Sequence, residues 1–171
     1  MKTKPYVIVF LLTFFLLTTL AQPAIQWQKS LGGTSTDVIK ITQQTSDGGY
    51  ISGGDSYSND GDVTGHFGTT SSSDYWIVKL DGNGTIQWRR SFGGTIEDKL
   101  VSIQQTTDGG YIIGGDSYSN DGDVTGHHGT AAYADYWIIK LDANGTIQWQ
   151  KSLGGTREDN LSSIQQTVDG G

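Results

Sequence analysis

The stretch Gly53–His66 reads GGDSYSNDGDVTGH, and the same fourteen letters return at Gly114–His127. Each copy gathers hard oxygen donors in a glycine-bearing segment: Asp55, Asn59, Asp60 and Asp62 in the first, Asp116, Asn120, Asp121 and Asp123 in the second. Carboxylate and amide oxygens in a flexible loop are what Ca²⁺ prefers, so these eight residues are the candidate metal ligands. Their spacing departs from the EF-hand loop, which alternates its ligands and closes on a distant Glu. A second reading needs no metal. Asx side chains and Gly turns satisfy backbone donors locally and shape a loop by themselves.

Other chemistry finds little footing. His66 recurs as His127, with His128 beside it. A base or metal ligand works at one unique site, whereas these residues come once per copy. The chain holds no G-x-S-x-G, no H-E-x-x-H and no phosphate-binding glycine loop, so no catalytic residue is assigned. GGTSTDVIK (Gly32–Lys40) is similar to the nonapeptide of Ca²⁺-binding β-rolls, but it occurs once per copy rather than turn after turn. Its Asp37, with Asp98 and Asp159 at the matching positions, is expected to accept hydrogen bonds that fix a turn.

The unit that carries these loops is 61 residues long, the spacing of Trp27, Trp88 and Trp149. Residues 25–85 align on 86–146 without a gap, with 42 of 61 positions identical, and a partial third copy covers 147–171. That copy reaches the DGG of Asp169–Gly171, which predicts a longer reading frame. Within a copy four strands are expected. KLVSIQQT (Lys99–Thr106) leads through a DGG turn to YIIGGDSY (Tyr111–Tyr118). After the long loop, DYWIIKLD (Asp135–Asp142) turns through Ala-Asn-Gly into TIQWQKSL (Thr146–Leu153). The paired glycines of the second strand suit a close backbone approach. No helical periodicity competes.

The fold class expected is all-β: antiparallel four-stranded β-propeller blades, two of them complete (Val38–Phe92 and Lys99–Leu153), with one leading and one trailing strand. A four-stranded sheet cannot bury both faces alone, so units must stack through Trp27, Trp76, Trp88, Trp137, Trp149, Tyr50 and Tyr111. The other use of such rings is sugar stacking. In such a stack the long loop and the inter-blade turn GGTIED (Gly93–Asp98) open on one rim.

The hairpins resemble those of WD40 and quinoprotein-type propellers. From Ile25 to Gly171 the motifs W-x-K-S-x-GG, DGGYI, SNDGDV and DYWIVKLD resemble a group of repeats in secreted bacterial proteins that often end in a type IX secretion sorting domain. The resemblance implies a propeller-like architecture and export rather than a reaction. This chain shows no sorting domain and fewer blades than a closed propeller.

Residues 1–21 read as a signal peptide: Lys2 and Lys4, an apolar run from Tyr6 to Leu20, and small residues before Gln22. The protein is therefore expected to be extracellular or at the cell surface, with residues 22–171 as the repeat region. Without Lys2 and Lys4 there are 9 basic against 18 acidic residues, a balance that repels phosphate backbones and makes nucleic acid an unsuitable partner. No run in the repeat region is long enough to span a membrane. The chain has no cysteine, so no disulfide staples it. These features point to a secreted, non-enzymatic repeat module that presents a polar, acidic loop rim to a glycan or protein ligand, with Ca²⁺ as the possible cofactor. The alternative is a fragment of a larger extracellular propeller enzyme, a hydrolase or lyase whose catalytic part lies elsewhere. A truncated product without function is the third reading. Further blades or self-association would cover the open sheets.

Overall fold

The computed structural model describes residues 23–171, so the signal-peptide reading lies outside the described residues. These residues contain eight β-strands and no helix. β1 (Asp37–Gln44), β2 (Tyr50–Ser56), β3 (Asp74–Leu80) and β4 (Ile86–Phe92) form one antiparallel sheet in sequential order. β5 (Asp98–Gln105), β6 (Tyr111–Ser117), β7 (Asp135–Leu141) and β8 (Ile147–Leu153) form a second sheet of the same order. The two sheets stack face to face and, among the described residues, close into neither a barrel nor a ring.

Alternation along the strands explains the stack. Ile51, Tyr75 and Ile77 leave the first sheet on the face that meets Leu100, Ile103, Tyr111, Ile113, Trp137 and Ile139 of the second, and together they make the main core. The opposite face of the first sheet buries Trp76, Val78 and Leu80 under Trp27 and Leu31. Trp76 and Trp137 are therefore core, as expected, and Tyr111 with them. Trp149 departs from that expectation: it is 48% exposed, on the face of the second sheet that no other sheet covers among the described residues.

Local turns follow from side-chain chemistry. In the DGG turns, Asp47 accepts from Thr45 Oγ1 at 2.5 Å and Gly49 N at 3.0 Å, and Asp108 repeats this with Thr106 and Gly110. Gly48 sits at φ +80°, open to the left-handed region only at a cost for other residues. The Asn-Gly hairpins are of the bulged kind. Asn83 keeps negative φ, Gly84 takes +78°, and the register shifts at Lys79/Leu80. Gly54 marks the anticipated close approach: β1 bulges between Ile39 and Ile41, and a Cβ on Gly54 would run into the carbonyl oxygen of Val38.

The leading and trailing strands do not form as strands. Residues 25–31 and 159–166 lie against the stack and pair with no ladder among the described residues.

Candidate functional site

The long β2–β3 and β6–β7 loops fold back over the turns that precede each sheet. Asp60 accepts from Thr34 N and Thr34 Oγ1, both at 2.8 Å. Asp121 accepts from Thr95 N at 2.7 Å and Thr95 Oγ1 at 2.6 Å. These bonds hold both carboxyls below their usual range. Loop and turn thus share one end of each sheet, as the stacking argument requires.

The eight candidate ligands are not brought to common centres. Asp55 lies under the loop, buried between the sheets, where Lys40 Nζ stands 2.5 Å from one oxygen and Leu100 N donates to the other at 2.8 Å. Burial nevertheless pushes its carboxyl up. Asp116 holds Leu161 N at 2.7 Å in the same way, and burial raises it too. Asp62 faces Arg89 at 3.4 Å. Asp123 is half-buried and raised by that burial, while its backbone N donates to Gly93 O at 2.8 Å. Asn59 and Asn120 are exposed. Among the described residues no three His, Asp or Glu side chains stand close enough to hold a metal. The carboxylates of the turns do what was expected of them: Asp37, Asp98 and Asp159 each accept at 2.7 Å from the backbone of Gly33, Gly94 and Gly155.

Beneath each loop lies a group that sequence reasoning passed over. Asp74, fully buried, accepts from Phe67 N at 2.7 Å. His66 Nε2 faces the Thr69 carbonyl at 3.2 Å, and its Nδ1 stands 3.4 Å from Asp74 Oδ2 without a bonding geometry. Asp98, also fully buried, approaches from the next turn, and the two carboxyls flank Gly93, where a Cβ would come within 2.5 Å of Asp74 and 2.6 Å of Asp98. Burial pushes Asp74 up to about 8, the Asp98 charge adding to it, and burial pushes Asp98 up to about 6. One oxygen of each carboxyl has no protein donor. The second unit repeats the frame with His127 and Asp135, and replaces Phe67 by His128, whose N and Nδ1 reach Asp135 at 2.7 and 3.0 Å. The side chains of His66, Asp74, Asp98, His127 and Asp135 are buried, whereas His128 is 52% exposed.

Solvent-facing chemistry lies on the outer edge instead. A groove of about 380 Å³ runs between β4 and the start of β8, lined by Thr64, Phe67, Arg89, Arg90, Ser91 and Thr146 among others. Arg89 and Arg90 are adjacent on β4 and leave opposite faces: Arg89 shares the face of Val78 and reaches Asp62 at 3.4 Å, Arg90 shares the face of Ile77 that meets the second sheet, and the half-buried Phe67 closes the loop end. In the second unit the arginine positions carry Gln150 and Lys151. The groove is therefore one place where the two repeats differ. Donor forks, hydroxyls and one aromatic ring are what a polar, ring-shaped ligand needs. Among the described residues no helix is long and apolar enough to cross a membrane. No family model matches the chain, and no curated protein matches it significantly.

Proposed function

We propose that the protein is an exported, non-enzymatic binding module whose 61-residue units are blades of a β-propeller and whose outer groove takes a glycan. The four-strand antiparallel order of each sheet, the face-to-face stacking and the resemblance of the DGGYI and DYWIVKLD motifs support the blades. The leader-like residues 1–21 support export.

The observation that carries the binding reading is the groove itself. Arg90 brings a guanidinium fork, Thr64 and Thr146 bring hydroxyl-bearing side chains, and Phe67 offers a ring face. The His66–Asp74 and His127–Asp135 groups are buried in the loop frames and cannot serve as general acid or base toward a bound ligand.

A glycan array probed with the purified protein tests this. The expected result is binding to a restricted set of glycans, weakened at least about tenfold by Phe67→Ala or Arg90→Ala. Absence of binding across the array would overturn the glycan reading. Release of new reducing ends from a bound polysaccharide would favour the enzyme reading instead.

A further inference from the structure

The groove between β4 and the start of β8 carries two charges that the protein does not neutralise. In the first unit Asp62 faces Arg89 at 3.4 Å. The matching positions of the second unit hold Asp123 and Gln150, so that cation is gone. Gln150 is engaged elsewhere: its Oε1 accepts from Trp137 Nε1 at 2.8 Å, and its Nε2 donates to Thr125 Oγ1. Asp123 is half-buried on the groove wall, and Arg90 is exposed and enters the same groove from the face of Ile77. Among the described residues neither has a salt-bridge partner. An arginine without an anion and a carboxylate without a cation therefore share one groove.

The walls around them are fixed by packing. Phe67 reaches across the seam between the units: a Cβ on Gly122, next to Asp123, would stand 3.1 Å from its Cδ1. The hairpin tip that carries Thr146 is held from the first unit, where Trp88 Nε1 donates to Ala143 O at 3.0 Å, as Trp27 Nε1 donates to Gly82 O at 3.1 Å one unit earlier. Gly145 packs on the same ring, and a Cβ there would come within 2.9 Å of Trp88 Cε3. A wall already ordered loses little freedom when a ligand arrives. Phe67 and Arg90 are particular to the first unit, since the second has His128 and Lys151 at those positions.

We propose that the glycan taken by this groove is an acidic one, held through a single sugar carboxylate at Arg90. This rests on the glycan reading of the groove and names its ligand class. The guanidinium grips the carboxylate at two points, a geometry that lysine does not offer. Asp123, which can only accept, takes the hydroxyls of the same or the neighbouring ring. Phe67 covers the apolar face of the sugar. Asp123 also limits the charge density of the ligand. The chain has 18 acidic residues against 11 basic ones, so a run of adjacent carboxylates would meet Asp123 and a repelling surface. The fitting ligand spaces its carboxylates with neutral sugars.

Calorimetric titration with three oligosaccharides of equal length tests this: one of alternating glucuronate and N-acetylglucosamine, the same one with its carboxyls reduced to hydroxymethyl groups, and an unbroken oligoglucuronate. The alternating oligosaccharide is expected to bind, and the other two to bind at least about tenfold more weakly. Arg90→Gln should weaken the alternating one about tenfold and leave the reduced one unmoved, with an unchanged circular dichroism spectrum because Arg90 is exposed. Arg90→Lys should restore only part of the loss. Phe67→Ala should weaken both, and Asp123→Asn should narrow the gap between the alternating and the unbroken oligosaccharide. Equal binding of the alternating and reduced forms, or binding indifferent to Arg90→Gln, would overturn the acidic assignment and leave the glycan reading standing. No binding of any of the three would overturn the assignment, and together with a blank glycan array it would remove the glycan reading as well.

Discussion

The backbone N–H of Leu100 reaches across the gap between the sheets to Oδ1 of Asp55, at 2.8 Å. The other carboxylate oxygen holds Lys40, which itself donates to the carbonyl of Leu100 at 3.0 Å. One buried carboxylate thereby ties β2, β1 and β5 together. Asp55→Ala leaves the Leu100 N–H without its acceptor in an interior site, and should cost about 1–3 kcal/mol in chemical denaturation. The equivalent Asp116→Ala should cost less, because Leu161 belongs to a half-exposed end segment. Equal losses at the two positions would contradict this account.

Stability should depend on pH in an unusual direction. Asp74 and Asp98 are raised in the folded protein to about 8 and about 6, above the ordinary carboxylate value they regain on unfolding. The folded state then binds more protons than the unfolded one between about pH 4 and about pH 8. Their contribution is full at the acid end of that window and fades as pH rises through each folded value. The denaturant midpoint of the wild type should fall from pH 5 to pH 8, and Asp74→Asn should flatten that fall. A midpoint that climbs over this range in the wild type and is unmoved in the variant would refute it.

The two kinds of glycine separate cleanly. Gly54→Ala forces a Cβ into the Val38 carbonyl at the β1 bulge, a clash of backbone against backbone that should prevent folding or lower the melting temperature sharply. Gly48→Ala meets nothing within 4 Å and carries only the strain of φ +80°, worth about 1 kcal/mol. Thermal melts of both variants check the contrast.

The loop carboxylates already have protein partners, so metal removal should matter little. With Asp60 and Asp121 engaged by Thr34 and Thr95, the melting midpoint is expected to be the same in chelator and in added Ca²⁺. Thr95→Val should lower it in both conditions. A rise on adding Ca²⁺ that Asp121→Asn abolishes would restore the metal to these loops.

Much of this architecture was legible in the sequence because the signals were local. Alternating β-formers between Gly-bearing turns put β5 to β8 within a residue or so of the observed strands, and the Gly pair announced the crowded bulge at Gly54. The 61-residue period gave the stacking of two like sheets. What escaped was decided by distance in space. Lys79 looks like an ordinary outward lysine of β3, yet it is buried and donates to Asp47 at 2.8 Å, the Leu80 carbonyl at 3.0 Å and Gln87 at 2.9 Å. Its repetition as Lys140, opposite a repeated Asp108, was the one available clue. Asp74 reads as a polar residue opening a strand, and only the returning loop shows that Phe67 and His66 enclose it. The partners of the eight loop donors were illegible for the same reason. Composition reports which oxygens a loop owns, and the neighbouring turn decides which of them are spent.

The Trp27–Gly82 and Trp88–Ala143 bonds span the same 55 positions, and each joint engages only adjoining units. Recombination between copies of so uniform a joint would add or drop whole units in frame without disturbing any seam that remains. Chain length can then change by single multiples of one 61-residue module while every remaining joint keeps its geometry.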